Sequence, residues 1–350
     1  MKQLRQSNFE LLRILSIMLI IFHHFSLYYN STFNFNNEIT MNRLIIQFFS
    51  IGGKIGVIIF ILITGYFMIN QKFKITKFIK IILQILTYCT FGIIFYMLFN
   101  DKTLNILQFM QLLFLNFFNN YWFILPYLIV YLLSPFINIA FNSFTQKDLK
   151  KLIIILIILQ SIIPNFLFIK FEFSNVLFFI TLYIIGAYIN KYPINIKNNL
   201  IPLIIFLITY LLTFFTIIGI SILKKYFVII FDEYYFIGLN SIFTIVASIS
   251  LFLFFKNIEM PYNKFINILA STTLGIYLFH ENSYIKDSIW NTLNTIYNIS
   301  PVTHLLFFKV IAIGITVYIV GCIIELIRKF SIEIVTNTLL KKLFPKKEEQ

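Results

Sequence analysis

The chain has 350 residues, of which 59% are hydrophobic and only 12% charged, with 44 phenylalanines. A water-soluble domain of this size needs more charge to cover its surface, and runs such as Leu152–Leu159 lack the alternation of outer-membrane barrel strands. The formal charge of +14 resides in short loops between apolar stretches, as expected of a membrane protein rather than a nucleic-acid binder.

Stretches of 18 or more apolar residues recur along the chain, each long enough to cross ~30 Å of hydrocarbon as a helix. Backbone groups in lipid must pair within their own segment, so these stretches are helices. Spans are expected near 9–29, 44–69, 76–99, 121–141, 152–169, 174–190, 199–219, 236–255, 265–285 and 304–327. The segment Leu104–Asn116 is apolar but short, and reads as interfacial. The first stretch is too long for a signal peptide and has no small-residue cleavage site, so it reads as a retained span. With this placement, 19 Lys and Arg residues fall on one side and six in the opposite loops. That asymmetry puts both termini in the cytoplasm, which requires an even number of spans. The fold class is therefore all-α: a polytopic integral membrane protein of about ten helices in the plasma (inner) membrane. One membrane domain covers 1–330, followed by a short basic tail over 331–350.

Ionisable side chains inside spans are costly to insert, roughly 2.5–3.5 kcal/mol each for Arg, Lys or Asp, and mark candidate sites. The first span holds Glu10, Arg13, His23 and His24 in FELLRILSIMLIIFHHF. At 100° per residue Arg13 and His24 point within about 20° of each other, Glu10 about 40° from His24 on the other side, and His23 about 80° off this stripe. The stripe climbs ~16 Å from Arg13 to His24. Two readings stand for this group: a functional column, or an interfacial Glu10–Arg13 pair with histidines packed between helices.

Farther along, Lys54 lies within GGKIGVIIFILITGYF, where Gly52, Gly53 and Gly56 permit close helix packing. Its ammonium either neutralises a carboxylate or contacts substrate. The loop after span two carries Lys72, Lys74, Lys77 and Lys80, which serve lipid headgroups and orientation or hold the phosphates of a nucleotide-type donor. Trp122 opens span four, either in the interfacial aromatic belt or as a platform for a sugar ring. Span nine carries GIYLFHEN, with Tyr277 one turn below His280. Counted from the cytoplasmic side, His280 and His24 are each about fifteen residues deep, so the two imidazoles are expected at one height. An imidazole is the usual general base near neutral pH. Glu281 follows His280 but points elsewhere on a helical wheel. Cys89 and Cys322 lie inside apolar segments and read as small core residues. No P-loop, Rossmann glycine pattern, HExxH or CxxC occurs, so neither a tightly bound cofactor nor a metal is expected.

These phrases together resemble membrane-bound acyltransferase family 3, which includes O-acetyltransferases of bacterial surface polysaccharides. Arg13 and His24 match that family's Arg-x10-His motif, and GVIIFILITGYF, NYWFILPYLIVYLLSPFIN and TLGIYLFHENSYI resemble its second-, fourth- and ninth-span signatures. The resemblance implies a ten-span enzyme taking an acyl group, acetyl first among them, from acyl-CoA to a hydroxyl outside the cytoplasm. The acceptor would be a surface polysaccharide or a lipid-linked glycan. His24 matches the catalytic histidine and Arg13 its partner arginine, and His280 falls in the ninth-span phrase. Glu10, His23, Lys54, Trp122 and Tyr277 are candidates for substrate contact, and Lys74, Lys77 and Lys80 for the donor. One departure stands out: Lys77-Phe-Ile-Lys80 replaces an Arg-x-x-Arg, keeping charge but losing bidentate phosphate recognition. Two other classes share part of the pattern. A transporter or flippase would show inverted repeats and broken spans, and a polysaccharide polymerase a large outer loop rich in arginine, whereas Arg43 is the one arginine in these outer loops.

Overall fold

The computed structural model describes residues 5–33, 39–99, 103–167, 174–194, 196–227 and 232–344. Lys2, Lys102, Lys170, Lys346 and Lys347, which enter the charge asymmetry, lie outside the described residues, as does the end of the basic tail.

Every regular element among the described residues is helical. The α-helices are, in chain order, α1 Ser7–Thr32, α2 Met41–Ser50, α3 Gly52–Met68, α4 Ile75–Phe99, α5 Ile106–Asn119, α6 Ile124–Ser143, α7 Gln146–Ile157, α8 Ile163–Leu167, α9 Asn175–Lys191, α10 Leu200–Tyr226, α11 Ile242–Lys256, α12 Lys264–Ala270, α13 Thr273–His280, α14 Lys286–Ile296, α15 Leu306–Phe330 and α16 Ile332–Leu343, with a π-helical turn at Ile158–Ile162 and a 3-10 turn at Tyr235–Ile237. Eight helical stretches are long and apolar enough to cross a membrane, among them Met41–Met68, which runs through α2 and α3. The 17-residue α9 is a shorter apolar helix, and α12 and α13 occupy most of the expected ninth span. At 14 residues, α5 reaches only ~21 Å, short of the hydrocarbon thickness, as its sequence suggests.

Small residues set the tightest helix contacts. A Cβ on Gly56 would overlap the Ser16 carbonyl oxygen of α1, and one on Gly53 the His23 ring. Gly65 of α3 abuts the Tyr183 backbone of α9, while Gly186 of α9 abuts the Leu62 carbonyl. Where lipid adds no hydrophobic force between helices, such close backbone approach supplies the packing. Large apolar side chains such as Phe136, Phe215 and Ile319 face outward, where hydrocarbon would cover them. Cys89 and Cys322 are buried and unpaired.

The expected ninth span is broken. Ser271, Thr272 and Thr273 each turn their hydroxyl back onto the carbonyl three residues earlier, at 2.6, 2.7 and 2.9 Å. Consecutive hydroxyls competing for backbone acceptors disfavour a continuing helix. The Lys329 ammonium bonds the Ser271 carbonyl at 2.6 Å, satisfying a group that the break leaves over. Beyond it, Gly275 lets α13 settle against Glu325 of α15. The Glu325 carboxylate is fully buried and bonded by Gln84 and Tyr88 of α4 and by Arg328. This polar knot fixes the angle at which α13 delivers His280 to α1.

Candidate active site

His24 and His280 meet. His24 Nδ1 lies 2.9 Å from His280 Nε2, with ring centroids 5.1 Å apart. His280 Nδ1 lies 2.7 Å from the Ile276 carbonyl on its own helix. A carbonyl only accepts, so His280 carries its hydrogen on Nδ1 and offers Nε2 as an acceptor. His24 must then donate from Nδ1, which leaves its Nε2 with a free lone pair. The tautomers follow from the hydrogen-bond network in one direction. His280 is fully buried, whereas the His24 side chain remains 11% exposed, so His24 is the imidazole that can meet a substrate.

Glu281 joins this pair, contrary to its sequence reading. Its Oε1 is 3.1 Å from His24 Nδ1. The helical wheel fails here because α13 ends at His280 and Glu281 caps it with φ −101° and ψ 6°. The side chain swings back toward α1 instead of continuing around the helix. No apolar periodicity signals this; only the exact end of α13 decides it.

The other candidates fall into three groups. Tyr277 forms a wall beside the imidazoles, its ring 6.3 Å from His24 and 5.9 Å from His280. It is backed by Phe123 at 4.7 Å and Tyr121 at 5.8 Å, and the Tyr121 hydroxyl bonds the Leu278 carbonyl at 2.8 Å. Lys54 sits over the Trp122 indole at 3.8 Å from its centroid, a cation–π contact that joins α3 to the start of α6. Glu281 acts on Lys54 electrostatically. His23 faces away from its neighbour: its Nδ1 donates to the Ser50 carbonyl at 2.6 Å. That carbonyl ends α2 where the chain breaks before α3, so His23 caps a helix end and packs on Gly53.

Arg13 and Glu10 do not reach the imidazoles. They line a cavity of about 580 Å³ at the opposite, basic end of the bundle, with Arg5, Lys72, Lys77 and Lys80. Glu10 lies 3.6 Å from Arg5 and 3.7 Å from Arg13, leaving the cavity strongly positive. Lys74 is exposed and lies off its wall; Lys72 and Arg5 take places that the spacing of the lysine run does not show. Thr64, Tyr127 and Leu274 also line the cavity. From there an aromatic ladder climbs to the histidines: Tyr127 to Phe123 at 6.4 Å, Phe123 to Tyr277, then Tyr277 to His24. The polar stripe on α1 thus has its foot in the cationic cavity and its top at the imidazole pair.

His24, His280 and Glu281 also present three donor atoms within 4.8 Å of one another, a set the sequence keeps 256 residues apart.

No curated protein matches the chain, and no solved structure does. The family model described as an acyltransferase domain matches residues 6–324. That span runs from the foot of α1 into α15, and so takes in both imidazoles and all of the cavity's lining except Arg5. The chain therefore belongs to membrane-bound acyltransferase family 3 and is a multi-pass membrane acyltransferase.

Proposed function

We propose that the protein transfers an acyl group, acetyl in the first instance, from acyl-CoA to a hydroxyl of a surface polysaccharide or lipid-linked glycan outside the cytoplasm, working in the plasma (inner) membrane. The observation that carries the reading is the His24–His280 contact, with its free nitrogen on the partly exposed ring.

The donor would bind in the basic cavity, its phosphates among Arg5, Arg13, Lys72, Lys77 and Lys80, since ammonium and guanidinium groups bind phosphate well. Its pantetheine arm would thread upward past Tyr127, Phe123 and Tyr277. The acceptor would approach the other end, where Trp122 and Lys54 offer a ring and a cation beside Glu281. His24 Nε2 takes the hydroxyl proton as the oxygen attacks the thioester carbonyl. The resulting imidazolium is held by Glu281 and by His280 Nε2. The new C–O bond forms, the C–S bond breaks, and the proton passes from His24 to the leaving thiolate. Base catalysis of this kind contributes about 10²–10⁴-fold.

The test is a mass-spectrometric profile of surface glycans from cells with and without the gene. Loss of acyl groups at unchanged polymer length supports the proposal. Full acylation with shortened chains would point to a polymerase, and full acylation with lost export to a flippase.

A further inference from the structure

We propose that His24, His280 and Glu281 form a binding site for a zinc-class divalent cation, and that its occupation silences acyl transfer. Three features of the geometry point there. His24 Nδ1 lies 2.9 Å from His280 Nε2 and 3.1 Å from Glu281 Oε1. Ligands held tetrahedrally at ~2.0–2.2 Å from zinc sit ~3.4 Å from one another. The two gaps at His24 therefore need to open by only about half an ångström or less to admit an ion, and all three donors already lie within 4.8 Å of one another. Two imidazoles and one carboxylate suit zinc, cobalt or copper and not magnesium or calcium, which favour oxygen.

The surroundings add a second, independent argument. A metal-binding histidine ordinarily donates its other ring N–H to a carboxylate or carbonyl, which fixes the tautomer and aims the lone pair. His280 does this through Nδ1 and the Ile276 carbonyl. Access is available because the side chains of His24 and Glu281 are 11% and 20% exposed. Lys54 and Lys286 both act electrostatically on Glu281 and oppose a further positive charge, so the ion would bind reversibly instead of residing as a structural part.

Silencing rests on the proposed role of His24; binding does not. Coordination through Nδ1 moves the ring hydrogen to Nε2, with no proton gained or lost overall. The nitrogen that faces the acceptor then donates where it had accepted, and Glu281 is taken up by the ion. General-base chemistry and metal binding exclude each other at this ring.

Cobalt(II) titrated into the purified full-length protein in detergent is the probe, read by the visible absorption of a tetrahedral nitrogen–oxygen site. Wild type and His304→Ala, whose replaced ring is exposed, should give the band, and zinc should remove it by displacement. Glu281→Gln and His280→Ala should weaken cobalt binding by at least about 100-fold. Glu281→Gln alters a partly exposed side chain, so it decides the matter if His280→Ala fails to elute as a single species. Absence of the band in wild type, or its survival in Glu281→Gln, would overturn the site. Zinc at the concentration that displaces cobalt should inhibit acyl transfer; undiminished transfer would overturn the silencing. If cobalt binds but no acyl donor and glycan pair reacts, the proposed function fails while the site stands.

Discussion

Replacing Glu281 by glutamine removes one charge and almost no volume beside His24. His24 Nδ1 donates to His280 Nε2 and not to Glu281, so the ring should hold its tautomer and direction in the variant. What the variant loses is the attraction between a carboxylate and the imidazolium that forms when His24 takes a proton. At the observed 3.1 Å, that attraction is taken at the strength of a hydrogen bond to a charged group, about 1.5–3 kcal/mol. At about 1.4 kcal/mol per tenfold, kcat should fall roughly 10–150-fold. The donor KM should hardly move, because the cationic cavity lies a full ~16 Å lower on α1. The assay is initial-rate acyl transfer in reconstituted membranes with the donor varied. A kcat within twofold of wild type would refute the reasoning, as would a loss confined to KM.

Charge reversal at Lys77 or Lys80 should raise the donor KM tenfold or more, whereas Lys74→Glu should change it far less, since Lys74 lies off the cavity wall; equal effects would undo the assignment of the cavity. Gly56→Ala presses a methyl onto the Ser16 carbonyl oxygen and should cost about 1–3 kcal/mol, seen as a lower melting temperature in detergent. Gly219→Ala in α10 meets no atom within 4 Å and should gain roughly 0.5–1 kcal/mol, so a matching loss in the two would count against the packing described. Glu325→Gln removes one of the two carboxylates on the buried Arg328 guanidinium and leaves Glu333 at 2.8 Å. With one counter-charge kept, the cost should fall below the about 3–5 kcal/mol of a fully broken buried pair, and a thermal midpoint unchanged from wild type would show that the knot does not hold α13.

Much of the architecture is legible in the sequence because the bilayer imposes one length and one hydrogen-bonding rule on every span. The stripe on α1 is legible for the same reason: a long, unbroken helix keeps its 100° step from Arg13 to His24. Legibility ends where helices do. A 19-residue hydropathy window averages across Ser271–Thr273 and hides the break between α12 and α13. It also passes over α14, whose Lys286, Asp287 and asparagines dilute its apolar residues. Glu281 is lost to the helical wheel because the wheel assumes a helix that stops one residue earlier. His23 beside His24 looks like a second candidate base, yet its ring is committed to the Ser50 carbonyl by the α2–α3 junction, a contact between distant segments. The cationic cavity shows the same limit. Lys77 and Lys80 are one turn apart and predictable as neighbours, while Arg5 joins them only once the chain has folded around the cavity.

The central claim is that His24 is the base, and kinetics of His24→Ala in reconstituted membranes test it most directly. The variant should insert, accumulate and elute as wild type does, and bind donor with the same KM, while kcat falls about 10²–10⁴-fold. Transfer at the wild-type rate by a properly inserted His24→Ala protein would contradict the account.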